Sequence, residues 1–173
     1  MIAIALMLPN EVERELERLR GEFASHVAYV PFAHITVVYP FFTADSSLVA
    51  DRLVSIAAHT RPFPIVLDGI GYFENPGRVA YLMVKKADAI RALRKDIKVV
   101  LAGAVKEGDE GELEFHPHVT IGASIPEDLF PIVKQRLSNC HPYVEVEIHA
   151  FSLFSNERGG VWTVERIFTL DRR

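Results

Sequence analysis

The sequence predicts an α+β protein built from two similar halves, with helices covering the outer faces of two mainly antiparallel sheets. Some segments carry apolar residues at helical spacing, and others are short β-branched or aromatic runs typical of strands. A His-x-Thr pattern inside such a run occurs twice, at His34–Thr36 and His118–Thr120, about half the chain apart. The order of segments also repeats, which predicts halves of roughly 1–78 and 79–173 within a single domain at 1–173.

Length and composition are those of one globular domain. The 173 residues are 49% hydrophobic and 24% charged, and the formal net charge is -4. This composition supports a sizeable core and argues against a protein that wraps long nucleic acid by overall charge. The one cysteine excludes an internal disulfide framework and fits a reducing compartment. The apolar opening segment lacks a basic signal-peptide region, and no apolar run is long enough to span a bilayer, so a cytoplasmic location is expected.

The first half is predicted to run strand, helix, strand, helix, strand. Asn10, followed three residues later by Glu13, is a capping-box signature for the first helix. A Pro-Phe-Phe sequence ends the second strand, and glycines introduce bends into the third. The predicted elements are a strand at 2–8, a helix at 10–24, a strand ending at 40–42, a helix at 45–59, a strand at 63–73 and a turn at 74–77.

The second half repeats this order. Asp88 is a candidate cap for its first helix, and the polar, acidic segment at 106–114 is expected to be a surface loop. The tails of the halves also match, since Gly-Tyr-Phe at 71–73 resembles Ser-Leu-Phe at 152–154. The predicted elements are strands at 79–84, 113–122, 143–154 and 161–170, helices at 88–101 and from 124 to 137, and a turn at 155–160.

Each His-x-Thr places an imidazole and a hydroxyl on the same face of a strand, about 7 Å apart along the chain. A duplication implies a pseudo-twofold axis, and the two motifs are expected on either side of it. In-line displacement at phosphorus requires the attacking oxygen to lose a proton while the leaving oxygen gains one, and histidine suits both tasks. The threonine hydroxyls can donate hydrogen bonds to the non-bridging oxygens. One such histidine is more often a hydrogen-bonded core residue, so the second copy is what indicates function.

The two motifs and their flanks, Val-Val-Tyr-Pro-Phe after the first and Phe-His-Pro-His across the second, resemble the 2H phosphoesterase superfamily, in particular its 2'-5' RNA ligase-like branch. The resemblance covers essentially the whole chain. It implies a bilobal fold with a central cleft and metal-independent opening of a 2',3'-cyclic phosphate to a 2'-phosphate, without a cofactor. Some members also catalyse weak, reversible 2'-5' ligation. By carry-over, His34 donates a proton, His118 accepts one, and Thr36 and Thr120 bind phosphate.

The chain departs from the family pattern at one point. Many members carry an arginine shortly before a motif, where this sequence has Phe32-Ala33 and His116-Pro117. Because successive side chains of a strand point to opposite faces, His116 is expected on the same strand face as His118. Two interpretations stay open: protonated His116 supplies the missing charge to the substrate, or it pairs with the acidic loop.

The expected partner is a small cyclic nucleotide or an RNA 3' end bearing a cyclic phosphate, and a monomer without membrane contact is predicted. An RNA terminus, a mononucleotide and an ADP-ribose cyclic phosphate all remain open as substrates. A non-catalytic module that binds an RNA end or a phosphorylated metabolite is the first alternative. A metal-dependent hydrolase that uses His34, His116 and His118 is the second, although no carboxylate at ligand spacing accompanies them.

Two further groups of residues have both a functional and a structural interpretation. Aromatic rings near the motifs are candidate stacking platforms for a base, or core residues. Basic residues on and before the third helix either contact an RNA backbone or form a solvated face of that helix. The aromatic candidates are Tyr39, Phe41, Phe42, Tyr72 and Phe154, and the basic ones are Lys85, Lys86, Arg91, Arg94, Lys95 and Lys98.

Overall fold

A computed structural model of the chain describes residues 1–21, 32–75, 77–103, 115–156 and 161–171. The strands and helices in these ranges confirm a mixed fold and follow the predicted order closely. They are β1 (Ile2–Met7), α1 (Asn10–Arg20), β2 (His34–Phe41), α2 (Ser46–His59), β3 (Phe63–Phe73), β4 (Val79–Lys85), α3 (Asp88–Val100), β5 (His118–Gly122), α4 (Phe130–Leu137), β6 (Tyr143–Ile148), β7 (Ala150–Ser155) and β8 (Thr163–Thr169).

The strands form one sheet, so the prediction of two sheets is wrong. From edge to edge the order is β6, β3, β4, β5, β2, β1, β7 and β8, and all neighbours are antiparallel. In the middle, β2 and β5 are joined at the residue pair Ile35 and Val119. Their side chains are only 0% and 1% exposed. The two halves of the sheet therefore continue into each other through the core.

The predicted strand at 143–154 is two strands. β6 lies at one edge of the sheet beside β3, whereas β7 pairs with β1 near the opposite edge. Only His149 separates β6 from β7 along the chain. The two edges must therefore lie close together, so the sheet curls on itself. An alternating pattern shows that a segment is extended but does not show where it changes partners.

The two predicted halves are interleaved. β3, from the first half, pairs with β4 of the second, and β7, from the second half, pairs with β1 of the first. Helix α1 contacts β5 and helix α3 contacts β2, so the helices also cross between the halves. This arrangement suits a duplicated chain, and the division at residues 78 and 79 stays a prediction.

The helix caps agree only in part with the sequence patterns. Asp45 is the N-cap of α2, and its carboxylate accepts a hydrogen bond from the Leu48 backbone N–H at 3.0 Å. The prediction of a capping box for the first helix is wrong, because the N-cap is Pro9 and makes no side-chain cap bond. The Glu13 carboxylate instead accepts a hydrogen bond from the backbone N–H of Ala33.

Helix α1 shows how the outer helices are attached to the sheet. Val12, Leu16 and Leu19 are buried at helical spacing. Each such side chain contributes about 1.5–3 kcal/mol of burial free energy, which holds the helix against the strands. The predicted continuation of this helix to residue 24 lies outside the described residues. No helix in the described part of the chain is both long and apolar enough to cross a bilayer.

Candidate active site

The two His-x-Thr motifs lie on neighbouring strands in the centre of the sheet. In the register set by the residue pair that joins β2 and β5, His34 is opposite Thr120 and Thr36 is opposite His118. All four side chains leave the same face and are half-buried. The histidines are diagonal neighbours, for which Cα atoms are about 7–8 Å apart. The structure thus brings together the four side chains that the sequence singled out.

The same local hydrogen bond holds both histidine rings. Nδ1 of His34 lies 3.0 Å from the carbonyl oxygen of Phe32, and Nδ1 of His118 lies 2.8 Å from that of His116. A carbonyl oxygen only accepts, so Nδ1 carries the proton in both rings. Nε2 is therefore the atom that accepts a proton when the ring is neutral and donates one when it is charged.

His118 lies beside a stacked pair of aromatic rings. The centroids of Phe73 and Tyr81 are each 5.1 Å from that of the imidazole, and the two rings stack on each other at 4.4 Å. Burial lowers the pKa of His118 below its ordinary value of 6.5. The bond to the His116 carbonyl raises this pKa, and positive charge on His116 and His34 lowers it further. His118 is therefore mainly neutral at pH 7 and able to accept a proton.

Gly71 makes room for the tyrosine beside His118. Gly71 and Tyr81 are directly opposite each other on β3 and β4. A Cβ atom at Gly71 would collide with the Tyr81 ring, with the phenol oxygen at 2.6 Å. Burial raises the pKa of the Tyr81 phenol, so it stays neutral at pH 7. The glycine in this predicted strand thus has a packing role, because it lets Tyr81 lie against His118.

A phenylalanine at the end of β7 flanks the other histidine. The Phe154 ring centroid is 6.4 Å from the His34 imidazole, and Phe32 stacks on Phe154 at 5.9 Å. Phe73 occupies the corresponding place at the end of β3, beside the second motif. Phe154 is among the aromatic candidates predicted from the sequence and Phe73 is not, although the matching tails of the two halves put both phenylalanines at equivalent positions.

The other predicted stacking rings lie elsewhere. Tyr72 packs edge-on against Phe130 at 6.0 Å, and Phe41 is buried in the core. Tyr39 lies beside a guanidinium of α3, at 5.8 Å. Phe42 is 72% exposed. Of the rings proposed from sequence as base platforms, Phe154 is therefore the one placed against a motif histidine.

His116 is exposed and lies beside the second motif. Its ring centroid is 5.5 Å from Phe73, 5.4 Å from Tyr81 and 6.4 Å from His118. Both histidines thus contact the same aromatic pair, as expected for side chains on one face. The segment at 106–114, named as the other possible partner of His116, lies outside the described residues.

The described residues contain no group of three or more His, Cys, Asp or Glu side chains placed to hold a metal ion. His34, His116 and His118 accordingly do not form such a group.

A shallow groove of about 700 Å³ runs along α3, and the four His-x-Thr side chains do not line it. Its lining residues are Arg91, Arg94, Lys95, Lys98, Val99, Ala102 and Phe115.

The sheet topology and the paired motifs define the class of protein. The family model described as "2'-5' RNA ligase superfamily" matches residues 8–160, and the chain belongs to this family. The resemblance inferred from the motifs is confirmed. Membership supports phosphoesterase activity.

Relatives cover nearly the whole chain. A protein of Bacillus anthracis (strain CDC 684 / NRRL 3495), named "Putative phosphoesterase", is 30% identical over 173 residues, which are 99% of this chain and 97% of the relative. The solved structure of a protein from Thermus thermophilus has a TM-score of 0.73 at 22% identity and covers 99% of this chain and 97% of its own. E. coli LigT complexed with 3'-AMP has a TM-score of 0.67 at 19% identity, covering 98% and 97%. At these identities the two structures show a shared fold.

Proposed function

We propose that the protein hydrolyses 2',3'-cyclic phosphodiesters to 2'-phosphates without a metal, with His34 and His118 as the proton-transfer groups. The substrate is an RNA 3' end or a small nucleotide. One observation carries the proposal: two imidazoles with the same Nδ1 bond flank two threonines on adjacent strands. Such a site presents two Nε2 atoms and two hydroxyl groups to a single phosphate.

The reaction is an in-line displacement at phosphorus. Water attacks and transfers a proton to Nε2 of His118, which burial keeps neutral. The bond from phosphorus to the 3'-oxygen breaks, and Nε2 of protonated His34 donates its proton to that oxygen. One water is consumed, the phosphate remains on the 2'-oxygen, and proton exchange with solvent restores both rings. Each proton transfer contributes about 10²–10⁴-fold to the rate.

The remaining side chains bind the phosphate. The hydroxyls of Thr36 and Thr120 donate to the non-bridging oxygens, where negative charge develops in the transition state. Protonated His116 adds a positive charge on the side of His118, where many family members use an arginine. A 5'-hydroxyl that attacks in place of water would form a 2'-5' linkage, which is the weak ligation expected from the family.

The nucleotide substrate class is supported by the structural neighbours. E. coli LigT has been crystallised with 3'-AMP, with NADP+ and with ATP. These ligands share a ribose that carries phosphate or phosphate esters. A ribose cyclic phosphate, free or at an RNA terminus, presents the same groups to a site of this kind.

A product-resolved assay tests the proposal. Adenosine 2',3'-cyclic phosphate and a short RNA ending in a cyclic phosphate are incubated with the protein, with and without EDTA, and the 2'- and 3'-phosphate products are separated. We expect the 2'-phosphate alone, at a rate that EDTA does not change. His118→Ala protein purified in parallel controls for contaminating nucleases.

The two alternatives give different results in the same assay. Saturable binding of the cyclic phosphates without product would identify a binding module. Activity that EDTA removes and an added metal ion restores would identify a metal-dependent hydrolase. Either result contradicts the proposed reaction.

A further inference from the structure

A β-bulge follows each His-x-Thr motif. In β2 the register against β1 shifts directly after Thr36 and leaves Val37 with no opposite residue. In β5 the register against β4 shifts directly after Thr120 and leaves Ile121 with no opposite residue. A bulge bends its strand and changes the direction of nearby side chains, and bulges are frequent beside active sites. Both motifs therefore carry the same backbone irregularity at the same position.

An arginine from an outer helix binds the carbonyl oxygen of each bulged residue. Nε of Arg20, the last residue of α1, donates to the Ile121 oxygen at 2.7 Å. Nη1 of Arg94, in α3, donates to the Val37 oxygen. A bulge disrupts the ladder locally, so its backbone groups need other partners. In both cases the helix of one half supplies that partner to a strand of the other half.

Arg20 also reaches the start of the first motif. The residue is 7% exposed. Its Nη1 lies 2.7 Å from Oε1 of Glu17 and 3.7 Å from Oε1 of Glu13. The other carboxylate oxygen of Glu13 accepts the N–H of Ala33, which immediately precedes the first motif. Arg20 thus connects the bulge after the second motif to the entry of the first.

Arg94 makes the corresponding connection with aromatic rings. Its guanidinium lies 4.3 Å from the Phe115 ring centroid and 5.8 Å from that of Tyr39. Phe115 immediately precedes His116 in the segment that leads into the second motif. Arg94 thus connects the bulge after the first motif to the entry of the second, and the two arginines form reciprocal links between the motifs.

We propose that Arg20 and Arg94 are positioning residues, each holding the bulge after one motif against the entry to the other and so aligning the two imidazoles across the phosphate. The inference rests on the proposed function, because alignment matters only if both rings act on one phosphorus. Neither arginine carries out proton transfer in the proposed reaction. A displacement of about 1 Å in reacting groups can lower a rate about 10²-fold, so their loss should reduce kcat more than it raises KM.

Conservative variants with matched controls test this role. Arg20→Lys and Arg94→Lys keep the charge but lose the planar fork of donors. Arg18, which pairs with a carboxylate of its own helix, and Arg52, which donates to a carbonyl of α3, provide the control Arg→Lys changes. We expect kcat for a 2',3'-cyclic nucleotide to fall about 10–100-fold in the two test variants, with KM within about threefold. The controls should stay within about twofold of wild type.

A stability-matched variant separates positioning from general loosening. Leu93, which is 2% exposed in α3, is replaced by Ala, and urea unfolding is measured for all variants. The inference holds if the arginine variants lose more kcat than Leu93→Ala at an equal or smaller loss of unfolding free energy. It is overturned if their kcat follows the same relation to stability as Leu93→Ala.

A readout that needs no turnover separates this inference from the proposed function. NMR of histidine Cε1–H groups follows the ring of His118 through a pH titration, with exposed His141 as the internal reference. We expect the His118 signal and its titration midpoint to change in Arg20→Lys and Arg94→Lys and not in the controls. If the arginine variants alter the His118 titration but the protein hydrolyses no cyclic phosphate, the proposed reaction is contradicted and the positioning role is not. Unchanged titration, with kcat within about twofold of wild type, would overturn the positioning role alone.

Discussion

The two half-sites carry the same residues in different surroundings. Both rings donate through Nδ1 to the carbonyl two residues earlier. His118 lies 5.1 Å from both Phe73 and Tyr81, whereas the Phe154 ring lies 6.4 Å from His34. Burial lowers the pKa of His118, which favours its neutral form. The two motifs thus carry the same groups, and the aromatic rings contributed by other strands give His118 surroundings that differ from those of His34. In the proposed reaction this difference makes His118 the proton acceptor.

The largest expected effect comes from removing either imidazole. His34→Ala and His118→Ala should each lower kcat/KM for a 2',3'-cyclic nucleotide by about 10²–10⁴-fold. Their responses to a better leaving group should differ. A substrate with sulfur in place of the 3'-oxygen needs no proton on the leaving atom, because a thiolate is far less basic than an alkoxide. Steady-state kinetics should show recovery with this substrate in His34→Ala and none in His118→Ala.

His141→Ala, at an exposed position outside the motifs, should match wild type with both substrates. Recovery in His118→Ala instead would reverse the assignment of the two roles. Equal behaviour of the two variants would show that the different surroundings do not divide the proton transfers.

The second expected effect concerns the residue pair that joins the half-sites. Ile35 is 0% exposed and lies opposite Val119, where β2 meets β5. Ile35→Ala should lower the free energy of unfolding by about 2–5 kcal/mol, because it leaves a cavity in the core. Ile167→Ala, on the edge strand β8 at 59% exposure, should change it by about 0.5 kcal/mol or less. Urea unfolding followed by circular dichroism measures both changes. Equal losses of unfolding free energy would mean that the pair of Ile35 and Val119 contributes no more to stability than the sheet edge.

Local chemistry explains which parts of the structure could be predicted. Helix α2 begins after Asp45, and β3 spans the predicted range 63–73, because a capping side chain and a β-branched run act within a few residues. The motif residues could be placed on one strand face because the period of two is fixed by the strand itself. That the two motifs face one site is predicted from the duplication of the chain. In the structure the pair Ile35 and Val119 joins β2 to β5 and so places the motifs side by side.

The remaining features depend on contacts between distant segments. The spacing of Asn10 and Glu13 predicts a capping box, yet the Glu13 carboxylate accepts a hydrogen bond from the backbone N–H of Ala33, 20 residues away. The break at His149 and the bulge at Val37 arise from the partners of their strands, which hydrophobic periodicity does not encode. For the same reason Arg20 was indistinguishable in the sequence from the other arginines of its helix.

The smallest expected effect is a change in pH dependence that reports the difference between the half-sites directly. His118 must be neutral to accept a proton, and its pKa is lowered from 6.5, so the acidic limb of kcat/KM should have its midpoint below pH 6.5. Positive charge on His116 contributes to this lowering, so His116→Gln should raise the pKa of His118 and move the midpoint toward pH 6.5. His141→Gln should leave the midpoint unchanged. The midpoint is the quantity to compare, because His116 is also proposed to bind substrate and its loss can lower the plateau. A wild-type limb above pH 6.5, or a shift to lower pH in His116→Gln, would show that a group other than His118 accepts the proton.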